Sequence, residues 1–439
     1  VMGAADLDGG PVVPEIGEEY IALALAERQR IRIDAESDTV AGRQEYLWRP
    51  PPFVVNWLRR SLVEERDLPA AFMLLNLATT TLPAALLLWS TGCRSHLLGA
   101  AYLILTYAAF LQRFMLTLHF TEHRPLFKPG YRLLNLVAPL ILAPLLGVPP
   151  GMYHLHHCIM HHSGNNRWSL DASSTERYQR DNPLHFLMCV PEVLYKRCTP
   201  SAGRHTQLAS PQPACPHLAL RGWGPGPSGP QKDMLVSPAS HHPPCRYWAR
   251  FALGSWFELP WVAARAGRWG VLAACLACET GYLAGVRWAL QASPVAALWT
   301  LALPFAVSSL ALMLGNWSQH LFLEPAAPRG SLGLAYNCVA CADNQRTYND
   351  GYHAVHHLNS KTHWTELPAQ FVATLDKQAA AGTLIFRGLG FFDVGVAVFT
   401  GNYDLLHDHL VKYTPALAAA GRCDVEAMLR RRLAPIIMS

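Results

Sequence analysis

Charge is what this sequence lacks most. Only 15% of its 439 residues are Asp, Glu, Lys or Arg, while 51% are hydrophobic, against roughly 25% charged in an ordinary globular domain. That deficit argues against a chain surrounded by water. The balance of sign is thin too: 36 basic against 31 acidic residues leave a net charge of +5, with none of the clustered basic surface that a nucleic-acid partner requires. A regular cysteine framework is missing. The eleven cysteines are scattered, with Cys275 and Cys278 inside an apolar run, which argues against a zinc knuckle or secreted disulfide scaffold and for a reducing, cytosolic or stromal setting. No internal repeat is present. The first residue is Val1, and the polar start holds no signal-peptide core, which leaves targeting open.

Long apolar runs are present instead. Residues 1–66 form a polar arm in which Pro50, Pro51 and Pro52 precede Trp57, Arg59 and Arg60, a composition suited to a membrane interface. Ala70 to Trp89 carries no charge and Leu97 to Leu118 only Arg113, so each is long enough to cross about 30 Å of hydrocarbon as a helix. The turn between them, Ser90 to His96, makes them an antiparallel hairpin. A second pair, Val271 to Leu290 and Val295 to Asn316, turns at Ser293-Pro294, and Glu279 and Arg287 in its first member must face the bundle or an interface. Leu133 to Val148, with Pro139 and Pro144, reads as a re-entrant or interfacial segment. The expected architecture is all-α: four transmembrane helices in two hairpins, with a helical cap on the cytosolic side. The hairpins fall in regions 67–198 and 247–375, separated by a Pro/Gly-rich insert, 199–246, and followed by a C-terminal tail, 376–439. The insert has no hydrophobic periodicity and should be disordered, so His205, His217, His241 and His242 within it are bystanders.

Histidine is the residue in excess, 20 in all and unevenly spread. His119 and His123, at i and i+4, share one helical face at the exit of the second span. His154, His156, His157, His161 and His162 follow within nine positions, and on a helix His157, His161 and His162 form one side while His156 points elsewhere. His353, His356 and His357 have the i, i+3, i+4 spacing of one face. Asn316 and His320 stand where the last span emerges. His363, beyond the third cluster, reads as a hydrogen-bonding neighbour. Single clusters of this kind arise by chance and are satisfied by water. All of these map to one membrane face, however, and nine imidazoles exceed the three or four ligands of a mononuclear zinc site, so two metal ions are expected. Imidazole suits iron, copper, zinc and nickel alike.

His119-x-x-x-His123, His157-x-x-x-His161-His162 and His353-x-x-His356-His357 resemble, in order and in their placement after helical hairpins, the three histidine boxes of the integral-membrane fatty-acid desaturases and their hydroxylase relatives. Asn316 and His320 are similar to an additional element of stearoyl-CoA-type desaturases, in which the His binds iron and the Asn reaches it through water. The likeness spans roughly residues 55–375 without the insert. It implies a di-iron, O2-dependent desaturase acting on an acyl lipid or acyl-CoA held in an apolar tunnel, with all nine histidines catalytic and Asn316 added to the metal set. No His-Pro-Gly-Gly haem motif is present, so the resemblance implies an external electron donor: cytochrome b5 in the endoplasmic reticulum or ferredoxin in a plastid. The second box is one residue wider than in many desaturases, a spacing shared with membrane hydroxylases, so hydroxylation is the alternative outcome. A non-catalytic membrane subunit is a further alternative. A transporter is disfavoured, since its polar residues belong at the bilayer midplane.

Overall fold

The computed structural model describes residues 17–39, 47–187 and 247–436. The expected insert, with its four histidines, lies outside the described residues. Long uncharged helices dominate. The first, Leu68–Ser90, opens with a proline in its first turn, where the missing N–H costs nothing. Gly92, at a φ of 58°, turns the chain, and Ser95 caps the second helix, His96–His123, by accepting from the Leu98 N–H at 3.3 Å. Among the described residues, five helical stretches are long and apolar enough to cross a membrane: Glu65–Ser90, His96–His123, Pro129–Leu146, Trp269–Ala292 and Pro294–Gln319. Ile104, Leu105, Leu97 and Leu283 on these helices are more than half exposed, a pattern suited to lipid rather than water. Glu279 is the exception inside a span: it is buried and accepts from the Cys275 thiol.

Both hairpin turns lie at one end of the bundle. There Trp89 stacks on Trp288 at 6.3 Å and donates to the Thr300 hydroxyl at 3.1 Å, while His96 meets Trp299 edge-on. The histidines collect at the other end. Pro129–Leu146 is built of short 3-10 and π turns. It carries Leu145 into the cluster formed by Leu88, Tyr102 and Ala296 near the hairpin turns. The chain then reverses at Gly147, whose φ is 72° and whose missing Cβ would stand 2.1 Å from the Pro304 carbonyl; only glycine fits such a turn.

Three further features complete the cap. Asn337–Val339 (β1) and Ile385–Arg387 (β2) pair in parallel, with Cys338 opposite Phe386. The segment expected as a tail is folded: Phe386, Val394, Leu406, Leu429 and Leu433 are buried with Trp317 and Phe322 in one core. Fully buried Arg180 ties that segment down by donating to the carbonyls of Leu321 at 2.7 Å, Arg432 at 2.8 Å and Ala434 at 2.7 Å. Part of the N-terminal arm packs on the cap as well. In the helix Glu18–Thr39, Asp38 accepts from the Tyr352 hydroxyl at 2.7 Å, and Glu27 and Asp34 pair with Arg387.

Candidate metal centre

The first hairpin delivers His119 and His123 on the last turn of His96–His123. His157, His161 and His162 come from the segment that climbs back from Gly147, and here the local helix is not α. Leu155–His161 is a π-helix, and the His162 N–H bonds to the His157 carbonyl, an i→i+5 closure. This accounts for the wide second motif. In i→i+5 geometry, positions i+4 and i+5 straddle the next turn, so the additional residue is absorbed and both His161 and His162 turn toward the face of His157. The short helix His353–Leu358 presents the third set, and His320 follows the last turn of Leu303–Gln319.

All nine expected rings meet, in two groups. His356 Nε2 stands 2.9 Å from His119 Nε2 and 3.2 Å from His162 Nε2, and His157 Nε2 lies 2.9 Å from His123 and 3.1 Å from His162. In the second group, His353 Nε2 is 3.3 Å from His320 and 3.1 Å from His357, while His161, His320 and His357 hold their ligand atoms within 4.8 Å of one another. Neighbouring nitrogens bound at about 2.1 Å to one ion would themselves lie about 3 Å apart, so these spacings suit two ions with five and four imidazoles. Burial, reinforced by the adjacent rings, holds His157, His162, His353, His356 and His357 well below the ordinary imidazole range, and His320 down to about 3. They are neutral and ready to ligate.

Partners behind the rings set their orientation. His161 Nδ1 is 2.8 Å from Asp171 Oδ2, and Ser173 donates to the other carboxylate oxygen at 2.7 Å. Burial alone would raise the Asp171 carboxyl, but the charge and hydrogen bond of His161 hold it well below its usual range. His320 Nδ1 meets the Leu334 carbonyl at 2.8 Å. Asp350 lies 3.6 Å from His353 Nδ1, and burial pushes its carboxyl up to about 7. None of these partners was singled out in the sequence. Asp171 sits in an irregular stretch with no periodic signal, and only the rule that a ligating imidazole has an acceptor behind it would direct a search there.

The remaining residues fall outside the two groups. Asn316 commits its amide N–H groups to the Ser173 carbonyl, at 2.9 Å, and the Tyr247 hydroxyl. His154 is half exposed and bound to Glu122 at 2.9 Å; its hydrogen bonds to Cys158 and Glu122 push it up to about 10, a protonated state unsuited to a metal. His156 faces Ser173. His363 bonds Asp67 and Thr365, as a neighbour rather than a member of the cluster. A cavity of about 410 Å³ reaches the rings of His119, His157, His161 and His353, with Met115, Leu116, Leu312 and Phe391 among its apolar walls.

A helical, membrane-type protein with a buried polyhistidine centre beside an apolar cavity is the class that fold and site define. Residues 230–388, rather more than a third of the chain, match the family model described as fatty acid desaturase. The match contains His320 and the third histidine motif, and the rings of the first two motifs close on it from outside the matched stretch. No curated protein and no solved structure matches the chain.

Proposed function

We propose that this protein is a di-iron, O2-dependent membrane desaturase that introduces a double bond into an acyl chain. One observation carries the reading: nine imidazoles converge in groups of five and four beside an apolar cavity of about 410 Å³. Two iron ions held there would supply the capacity to reduce O2 to two waters, with two hydrogen atoms, that is two electrons and two protons, coming from a –CH2–CH2– pair and a further two electrons and two protons from outside. The chain's own part is positional. Asp171 and the Leu334 carbonyl fix ring orientation behind His161 and His320. Met115, Leu116 and Leu312 exclude water and hold the chain against the rings. Asn316 Oδ1 would reach the second ion through water.

The electron donor is external, cytochrome b5 or ferredoxin, and the membrane is that of the endoplasmic reticulum or a plastid, with the histidines on the cytosolic or stromal face. Four helices cross, and Pro129–Leu146 is re-entrant. Supporting this, His123 before it and His157 after it end 2.9 Å apart. Hydroxylation of the same C–H bond is the second reading, favoured by the i, i+4, i+5 spacing of the second motif. Expression in a desaturase-deficient host with mass-spectrometric gas chromatography of total fatty acids separates the two: a new double bond supports desaturation, a hydroxy acid supports the second reading, and an unchanged profile from iron-loaded protein removes both.

A further inference from the structure

Support behind the metal-facing rings is unevenly distributed. His161 and His320 each have an acceptor at Nδ1, the Asp171 carboxylate and the Leu334 carbonyl. In the third motif the Nδ1 atoms of His353, His356 and His357 are buried, yet none has a hydrogen-bond partner among the described residues, and Asp350 stands off His353 Nδ1 at 3.6 Å. An imidazole without such a partner is aimed by where its backbone places it. These three rings sit on a helix of six residues, His353–Leu358, whose N-cap residue Tyr352 makes no side-chain cap, and so short a helix does not hold itself in place. Its N-terminus must be pinned from outside. Asn337 supplies one pin, accepting from the Ala354 N–H at 3.1 Å.

The other pin comes from 314 residues away in sequence. Asp38, 6% exposed near the end of the helix Glu18–Thr39, accepts through Oδ2 from the Tyr352 hydroxyl at 2.7 Å, the Asn344 amide at 3.1 Å and the Ala340 N–H at 3.3 Å. The segment it gathers needs holding. Ala340, Tyr348 and Asn349 have φ angles of 50°, 55° and 57°, a left-handed backbone that persists only where the surroundings enforce it. The helix that carries Asp38 is itself fixed: Ile31 and Ala35 are buried in the core that contains Tyr352, Phe371 and Tyr413, and Glu27 and Asp34 pair with Arg387 of β2 at 2.7 Å. We infer that Asp38 is a positioning residue of the metal centre: through Tyr352 it sets where the third histidine motif stands, which makes the N-terminal helix a working part of the site although it lies outside the stretch that matches the family model. Tyr352 adjoins His353, the first ring of the motif, so the group of His161, His320, His353 and His357 is the one that depends on the clamp. This rests on the reading of the nine rings as a two-metal centre.

The test loads the full-chain apoprotein, in lipid nanodiscs, with Co(II), whose visible absorption reports the nitrogen ligands around each ion and does not depend on turnover. Wild-type protein should take up two ions. Tyr352→Phe keeps the ring against Phe371, centroids 5.1 Å apart, and removes only the hydroxyl; it should weaken one of the two ions by about tenfold and alter the absorption bands of that ion, with the other ion unchanged. Asp38→Ala should act on the same ion, and Asp38→Asn, which keeps an acceptor oxygen, should fall between Asp38→Ala and wild type. The double variant Asp38→Ala/Tyr352→Phe should be no weaker than Asp38→Ala alone, because the second change removes a contact already lost. Wild-type affinities and spectra in both single variants overturn the proposal, as do additive effects of the two changes. So does loss of both ions from Tyr352→Phe in step with a lowered unfolding temperature, the mark of a merely structural role. Wild-type apoprotein that binds no Co(II) overturns the two-metal reading itself.

Discussion

Each ring of the centre has a different tolerance to change, decided by what stands behind it. His161→Ala removes a ligand whose neighbours are other ligands, so iron should fall by about one ion per chain and activity should vanish while the protein stays in the membrane; His320→Ala and His357→Ala should behave alike. Normal turnover at full iron content in any of the three would strike that residue from the ligand set. Asp171→Asn keeps the shape but offers His161 Nδ1 a neutral partner in place of a carboxylate at 2.8 Å. Loss of such a partner typically costs about 10–100-fold in metal affinity or activity, and isothermal titration of the apoprotein with Fe(II) reads it directly. His363→Ala, by contrast, breaks contacts to Asp67 and Thr365 and should retain most of the activity and all of the iron. Arg180 works through the fold instead. Its guanidinium, fully buried, serves the Leu321, Arg432 and Ala434 carbonyls, so Arg180→Met strands several buried acceptors at about 1–3 kcal/mol each, and thermal unfolding should shift sharply downward.

Helices and histidine spacing were the legible elements. Ala70 to Trp89 and Leu97 to Leu118 anticipate Leu68–Ser90 and His96–His123 to within a few residues, because an uncharged run long enough to span lipid has few other structures open to it. The convergence of the histidine rings was legible for the same kind of reason: i, i+3 and i+4 are the spacings that one helical face allows. The π-helix Leu155–His161 was not, since one additional residue in a short apolar stretch leaves no periodic trace. Neither were β1 and β2, each of three residues, nor the packing of Phe386 and Leu429 against Trp317, which is set by long-range contact. Gly147 is where this element-scale geometry is most exposed to test. Alanine there meets both a left-handed backbone, which costs on the order of 1–3 kcal/mol, and the Pro304 carbonyl 2.1 Å from its Cβ. Gly147→Ala should lower membrane accumulation and iron content together, whereas Gly92→Ala, with open space around its Cβ, should do so much less.

For the molecule as a whole, two expectations concern how its parts face the membrane. Phe186 and Tyr247, on either side of the long stretch outside the described residues, have ring centroids 5.9 Å apart, so the chain leaves and returns at one place and deletion of 199–244 should preserve membrane insertion and activity; loss of accumulation would show that the stretch is structural. The last expectation is topological, and the metal reading depends on it. Helices of 23 and 28 residues measure about 35–42 Å at about 1.5 Å per residue, enough to cross about 30 Å of hydrocarbon. Two crossings by each hairpin would put the Trp89, Trp288 and Thr300 end in one compartment and the histidines in the other, provided Pro129–Leu146 dips and returns. Ser95 caps a helix, so the exposed Arg94 beside it is the better reporter of the turn. In a background without the exposed Cys423, Arg94→Cys should react with an impermeant maleimide from one side, and Ser163→Cys and Lys361→Cys both from the other. If the cysteines at 163 and 361 reacted from opposite sides, Pro129–Leu146 would be a true crossing, and His157 and His356 could share no metal ion.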